Sequence, residues 1–146
     1  MPQIVNVTKR IKVMDSKFYV SLEAARLLKE KGYNEYCNYY FVEDENRIHH
    51  VSYYVNNEEF AECRREAYTA PTKAEAIDWL ESKGMRINII YDWIECKWYF
   101  TIINGSPTVK NITELEVGDS VFYNTRLEAE EAAIIKACEL LNGKEE

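Results

Sequence analysis

Three segments of this chain have the helical spacing of apolar residues, and each begins with a hydroxyl residue: Ser21, Thr72 and Thr125. A hydroxyl at this position can cap a helix by accepting a hydrogen bond from a backbone amide of the first turn. Thr72 and Thr125 are each followed three residues later by a glutamate, which completes a capping box. The pattern predicts helices near residues 22–31, 73–83 and 126–141.

The ends of the first two helices are also marked. Each of these segments stops at a lysine followed by glycine, Lys31-Gly32 and Lys83-Gly84. Glycine adopts the left-handed conformation that often follows a helix, and lysine suits the negative end of the helix dipole. We therefore expect two short helices with well-defined ends and a longer third one.

Between the helices, the apolar residues recur at every second position, which is the period of a strand with one buried face. Residues 86–91 and 94–102 follow this pattern, and the second stretch places Ile94 and Cys96 on the apolar face with Trp98 and Phe100. Residues 36–42 and 47–55 form an earlier pair around a predicted four-residue turn, Glu43–Asn46. Further strands are predicted near residues 4–13 and 119–123.

The connections within each strand pair are too short for parallel crossovers, so the strands should be antiparallel. We predict an α+β fold, a mainly antiparallel sheet of five or six strands with three helices packed on one face. The helix–strand–strand order of residues 21–55 returns in residues 72–103, which suggests an internal αββ duplication. The predicted helix residues of the core are Leu27, Leu28, Ile77, Trp79, Leu80, Ile134 and Leu141.

Length and charge limit the classes of function. The 146 residues fit a single domain, 1–146. The net charge of −7 disfavours general binding to nucleic acid, because phosphate contacts require lysine and arginine. Residues 1–13 lack the sustained apolar run of an export signal, and no apolar run is long enough to span a membrane. We therefore expect a cytoplasmic protein without membrane contact.

The cysteines and histidines point to neither a disulfide nor a metal. The four cysteines are scattered without a Cys-x-x-Cys pair, so we expect reduced thiols, with Cys96 and Cys138 in apolar surroundings. The two histidines, His49 and His50, are adjacent on a predicted strand and should point to opposite faces, where they cannot chelate one ion. We predict no metal site.

The sequence also contains no recognisable catalytic constellation. It has no phosphate-binding glycine loop, no dinucleotide-binding motif and no nucleophile elbow. Its carboxylates lie mainly in turns and at helix starts, where solvation and the helix dipole already explain them. We therefore expect a protein that is not an enzyme and that carries no cofactor.

Tyrosine is unusually frequent, with 11 residues among 146. Tyr40, Tyr54 and Tyr99 should face away from the apolar stripes of three strands. One interpretation is ordinary β-propensity, with rings packed against cross-strand neighbours. A second is a face that binds a protein partner, where tyrosine is enriched, and a third is a platform that stacks the bases of single-stranded nucleic acid.

The segments SLEAARLLKEKGYNEYC, APTKAEAIDWLESKG and RLEAEEAAIIKACELL together resemble a widespread family of small uncharacterised proteins of gut bacteria and their phages. The resemblance covers roughly residues 16–141, and it implies that residues 1–15 are an N-terminal extension atypical of the family. The family has no assigned activity and no agreed functional residues, so the resemblance implies only a context, a cytoplasmic accessory gene of phage or mobile-element origin.

These observations favour a non-catalytic accessory protein that binds another protein or forms a homodimer. The alternative is a role related to nucleic acid, either single-strand binding or acidic mimicry of a nucleic acid.

Overall fold

In a computed structural model of the chain, the residues described are 16–61, 66–104, 114–117 and 121–141. These parts contain four α-helices, α1 (Leu22–Glu30), α2 (Asn57–Ala61), α3 (Lys73–Ser82) and α4 (Arg126–Leu140), and a 3₁₀ turn at Ser16–Phe18. They also contain six strands: β1 (Cys37–Val42), β2 (Glu45–Val55), β3 (Ala67–Thr69), β4 (Met85–Asp92), β5 (Lys97–Asn104) and β6 (Glu114–Val117).

The strands form two sheets, with the orders β2-β1-β3 and β4-β5-β6. Every strand pair is antiparallel, so the α+β class and the antiparallel pairing are confirmed. The prediction of one sheet of five or six strands covered by three helices is wrong. Helices connect the two sheets, because α4 packs on α1 and α3 and against β4 and β5, while α1 packs against β3.

The first hairpin is irregular. Its register runs through Tyr39↔His50 and Tyr40↔His49, with a break on each side of these pairs. The turn is shorter than the predicted four residues, because Val42 pairs with Glu45 and only Glu43 and Asp44 connect the strands. Asp44 has φ 79°, a left-handed conformation that aspartate tolerates better than most residues and that allows the short turn.

The second hairpin is regular from Met85↔Asn104 to Asp92↔Lys97. Its turn contains Trp93, Ile94, Glu95 and Cys96, so the predicted strand positions of Ile94 and Cys96 are wrong. The cause is Asp92, whose Oδ1 accepts hydrogen bonds from the backbone N–H groups of Ile94 and Glu95, both at 2.9 Å. Such local side-chain bonds compete with the strand ladder.

Cys96 ends this turn with φ 56°, and its side chain is exposed. The expectation of apolar surroundings is therefore wrong for Cys96, whereas Cys138 is buried as predicted.

The helix boundaries agree closely with the predictions. Thr72 Oγ1 accepts from the Glu75 amide at 3.1 Å, and Glu75 Oε1 accepts from the Thr72 amide at 2.9 Å, which is the predicted capping box. The same box is present at the start of α4, and Ser21 caps α1. Gly32 and Gly84 have φ of 99° and 97°, the left-handed conformation expected after α1 and α3.

One hydrophobic cluster includes residues from both sheets and from the three longer helices. Leu28, Leu80 and Ile134 are fully buried in this cluster. The other predicted core residues are partly buried and pack against it: Leu27, Ile77, Trp79 and Leu141. The composition of the helical side of the core is therefore confirmed.

Three elements were not predicted, namely α2, β3 and β6. Of the two further strands predicted, residues 4–13 lie outside the described residues, as do 119 and 120. Residues 121 and 122 have no regular structure, and Tyr123 forms an isolated antiparallel bridge to Trp98. A helix followed by a hairpin occurs twice, as an αββ duplication requires. However, the third strand joins β1 in one sheet and β5 in the other, and the duplication stays a prediction.

Candidate functional site

The three predicted interface tyrosines do not lie together. Tyr40 and Tyr54 belong to the first sheet, whereas Tyr99 is on β5 of the second. Tyr54 is 67% exposed, but Tyr40 and Tyr99 are half-buried.

Neighbouring rings cover the two half-buried tyrosines. The Tyr40 ring stacks on His49 at a centroid distance of 5.2 Å and contacts Phe60 at 5.1 Å. The Tyr99 ring meets the edge of Phe122 at 6.0 Å. Of the three, Tyr54 therefore offers the largest fraction of its side chain to a partner.

Among the described residues, the most exposed large apolar side chains lie in the turn Trp93–Cys96, which we call the β4–β5 turn. Trp93 is 83% exposed and Ile94 is 90% exposed. The sequence pattern placed Ile94 inside a strand and missed this feature. The signal that could have revealed it is Asp92, since aspartate commonly initiates turns by bonding the amides two and three residues ahead.

The Trp93 ring and the backbone of the β4–β5 turn both have contacts that position them. The Trp93 ring meets Tyr91 edge-on at 5.3 Å, and Tyr91 meets Trp98 at 5.1 Å. The Arg126 guanidinium of α4 lies over the Trp98 ring, 5.5 Å from its centroid. The backbone N–H of Cys96 donates to the Asp92 carbonyl at 2.8 Å, which closes the turn. Trp93 is thus connected to the body of the protein through a series of aromatic contacts.

A second pair of exposed aromatic residues lies on β2. Tyr53 and Tyr54 are adjacent, and both are exposed although neighbours on a regular strand would point to opposite faces. Both residues lie within the register break between the pairs Cys37↔Val55 and Tyr39↔His50, where regular alternation along the strand is not required.

A polar network of Tyr68, Glu43 and Arg26 on the first sheet has a structural role. Tyr68 Oη donates to Glu43 Oε1 at 2.6 Å, and Arg26 Nη2 donates to Glu43 Oε2 at 2.9 Å. These two bonds lower the pKa of the Glu43 carboxyl, and burial together with Glu43 raises the pKa of Tyr68 to about 12. The network connects α1 to the β1–β2 turn and keeps the phenol neutral.

The described residues contain no cluster of three or more His, Cys, Asp or Glu side chains that could hold a metal ion. His49 Nε2 lies 2.8 Å from Glu45 Oε1, and His50 packs on the Tyr39 ring at 5.0 Å. The adjacent histidines therefore have separate environments, as the strand geometry predicted.

Comparisons with protein-family models, curated proteins and solved structures found no match to this chain. The resemblance to proteins of gut bacteria and their phages therefore stays a hypothesis. None of the helices in the described ranges is long and apolar enough to cross a membrane.

Proposed function

We propose that this protein acts by binding another protein, with Trp93 and Ile94 of the β4–β5 turn as the anchor residues, and that it does not turn over a substrate. The observation that carries this proposal is the exposure of Trp93 and Ile94, at 83% and 90%, on a turn fixed by hydrogen bonds. Tryptophan is enriched among the residues that contribute most to the binding energy of protein interfaces.

The fixed conformation of the turn should increase its affinity for a partner. A side chain that is already held in position loses little conformational entropy when a partner covers it. The contacts of Trp93 with Tyr91, and of Tyr91 with Trp98, restrict the indole before binding. The turn therefore presents a preorganised apolar projection that suits a recess on the partner.

The size of the anchor sets a requirement for the rest of the interface. Burying the Trp93 and Ile94 side chains would contribute on the order of 5 kcal/mol from apolar area. Association itself costs about 4–15 kcal/mol in lost translational and rotational freedom. Further contacts around the turn are therefore needed, and the exposed carboxylate of Glu95 favours a neutral or basic rim around the partner's recess.

The test begins with partners recovered from the source organism by affinity capture, followed by purification of each candidate. Binding of the purified partner is then measured for the wild type, for Trp93→Ala/Ile94→Ala and for the control Tyr54→Ala. We expect the double variant to weaken binding at least 100-fold, while its free energy of unfolding changes by less than about 0.5 kcal/mol because both side chains are exposed. Equal affinity of the double variant and the wild type would contradict the proposal.

If the partner is a second copy of the same chain, the proposal can be tested with the purified protein alone. Light scattering over a range of concentrations gives the mass of the particle for the wild type and for Trp93→Ala/Ile94→Ala. A dimer that the double variant abolishes identifies a second copy as the partner. A monomer at every concentration would exclude a second copy as the partner.

The alternative, a role related to nucleic acid, rests on the adjacent exposed rings of Tyr53 and Tyr54. Exposed aromatic rings can stack on the bases of single-stranded nucleic acid. Salt-sensitive retention on a single-stranded oligonucleotide, lost in Tyr53→Ala/Tyr54→Ala and kept in Trp93→Ala/Ile94→Ala, would favour this alternative over the protein partner.

A further inference from the structure

A cleft of about 690 Å³ opens on the opposite side of the first sheet from Tyr40, where Tyr39 and Phe41 of β1 face it. Its other walls are residues 16, 17 and 19–21, part of β2, the start of α3 and one residue of α4. Small-molecule sites in proteins commonly measure roughly 300–1,000 Å³. The cleft therefore has room for a compact organic ligand, and the β4–β5 turn contributes no residue to it.

The cleft has an apolar and aromatic interior. Val20 and Phe41 are buried, and Ile48 is half-buried beside them. Three rings line one wall in sequence, with centroid distances of 4.4 Å from Tyr19 to Tyr39 and 5.0 Å from Tyr39 to His50. Flat rings of this kind pack well against an aromatic or other planar body.

The charges that line the cleft have the opposite sign to the chain as a whole. Among the described lining residues, Lys17, Arg47 and Lys73 supply three cationic groups, and Glu131 supplies one carboxylate. The whole chain carries a net charge of −7. A concentration of positive charge in a concave, partly apolar surface raises the local concentration of anions.

Lys73 is the central cationic group of this cleft. Its residue is only 8% exposed, and its Nζ donates one hydrogen bond, at 2.8 Å, to the carbonyl oxygen of Lys17. An ammonium group has three N–H donors. No carboxylate of the described residues lies within 4.0 Å of this Nζ, so the charge is buried without an ion-pair partner in that part of the chain.

Glu131 does not fill this role, because its carboxylate lies more than 4.0 Å from the Lys73 Nζ and bonds to Ser21 instead. The Ser21 hydroxyl donates to Oε2, and the Ser21 amide donates to Oε1 at 3.3 Å. Burial lowers the pKa of the Lys73 ammonium, and the more distant charges of Glu131, Glu130 and Glu128 oppose this shift. An anion bound beside Lys73 would stabilise the charged form that burial disfavours.

We infer that the cleft is a binding site for a small organic anion, with an aromatic body against Tyr19 and Tyr39 and a carboxylate or phosphate group directed at Lys73 and Arg47. The observation that carries this inference is a buried ammonium that, among the described residues, makes a single hydrogen bond, in a cleft whose other walls are aromatic and apolar. The site is independent of the proposed protein-binding turn.

The test uses 2-naphthoate as the probe and 2-naphthylmethanol as its neutral counterpart, with 2-naphthyl phosphate as the phosphate form. Calorimetry gives the affinities, and NMR shift changes locate the site. We expect one site for 2-naphthoate, shifts at Tyr39 and His50, and at least tenfold weaker binding of 2-naphthylmethanol. The preferred anionic group is identified by whichever of 2-naphthoate and 2-naphthyl phosphate binds more tightly, since the two share the same aromatic body.

Lys73→Met removes the charge and keeps the length of the side chain, and Lys97→Met makes the same change at an exposed site outside the cleft. We expect Lys73→Met to weaken binding at least tenfold and Lys97→Met to leave it unchanged. Arg47→Gln is a second variant. The Arg47 side chain is 74% exposed, so its replacement should not affect folding, and we expect it to weaken binding about threefold. Equal affinity in all variants, or no binding of either anion at millimolar concentration, would overturn the inference.

Discussion

Cys96 and Cys138 carry the same thiol in opposite environments. Cys96 is exposed in the β4–β5 turn, whereas Cys138 is fully buried on α4, and burial raises the pKa of Cys138 to about 12. Since the thiolate is the nucleophile, both access and ionisation protect Cys138. We predict that iodoacetamide at pH 8 labels Cys96 at least 100-fold faster than Cys138 in the folded protein, as measured by peptide mass spectrometry. In denaturant the two rates should become similar, and equal rates in the folded state would contradict the assignment.

The same two residues show how well a periodic sequence pattern predicts the burial of individual residues. The α4 pattern placed Cys138 in the interior correctly, because a helix fixes the direction of every side chain along it. The strand pattern placed Cys96 inside wrongly, because Asp92 bonds the following amides and ends β4 two residues before Ile94. The exposed anchor Trp93–Ile94 was missed for this reason.

At the scale of the elements, a substitution at Gly32 measures the energetic cost of a left-handed backbone conformation without a contribution from packing. It has φ 99°, and a β-carbon placed there would meet no atom within 4 Å. Gly32→Ala should therefore cost about 1–2 kcal/mol from the left-handed conformation alone. Gly32→Asn should cost less, because asparagine tolerates this region better. Urea unfolding measures both values, with the exposed Glu30→Ala as the control, and an alanine variant as stable as the wild type would show that the end of α1 rearranges.

The elements that could be predicted are those whose signals are local. Caps and glycines define α1, α3 and α4, and regular alternation defines most of β4 and β5. Strand β3 could not be found in this way, because Ala67, Tyr68 and Thr69 are all buried and the strand shows no alternation. Its position depends on pairing with β1 and on contact with α1, both of which are tertiary.

For the whole molecule, the dependence of strand pairing on tertiary contacts also explains why one sheet was expected and two are present. Strand counts and short connections establish antiparallel hairpins, but they do not decide whether neighbouring hairpins pair with each other. Here the packing of α4 against α1, α3 and the second hairpin joins the sheets instead. The cleft was equally invisible in the sequence, because Lys73, Arg47 and Tyr39 are brought together only by the fold.

The shared core leads to a prediction about how the molecule unfolds. Phe100 and Ile102 of the second sheet lie in one hydrophobic cluster with Phe41 and Tyr68 of the first, and Ile134 of α4 belongs to the same cluster. Removing a side chain from a cluster that both sheets share should destabilise both sheets together. We therefore expect cooperative unfolding in a single transition and a loss of about 3–5 kcal/mol for Phe100→Ala, since Phe100 is 4% exposed.

The decisive measurement compares probes from the two sheets. Hydrogen exchange of the β1 and β5 amides, followed in increasing denaturant, gives the opening free energy of each sheet separately. In a cooperative molecule, Phe100→Ala lowers the stability of the most protected β1 amides by the same amount as those of β5, although β1 belongs to the other sheet. The exposed variant Ile94→Ala should leave both values unchanged. If Phe100→Ala lowered protection in β5 alone, the two sheets would be independent folding units, and the prediction of a single domain would be wrong.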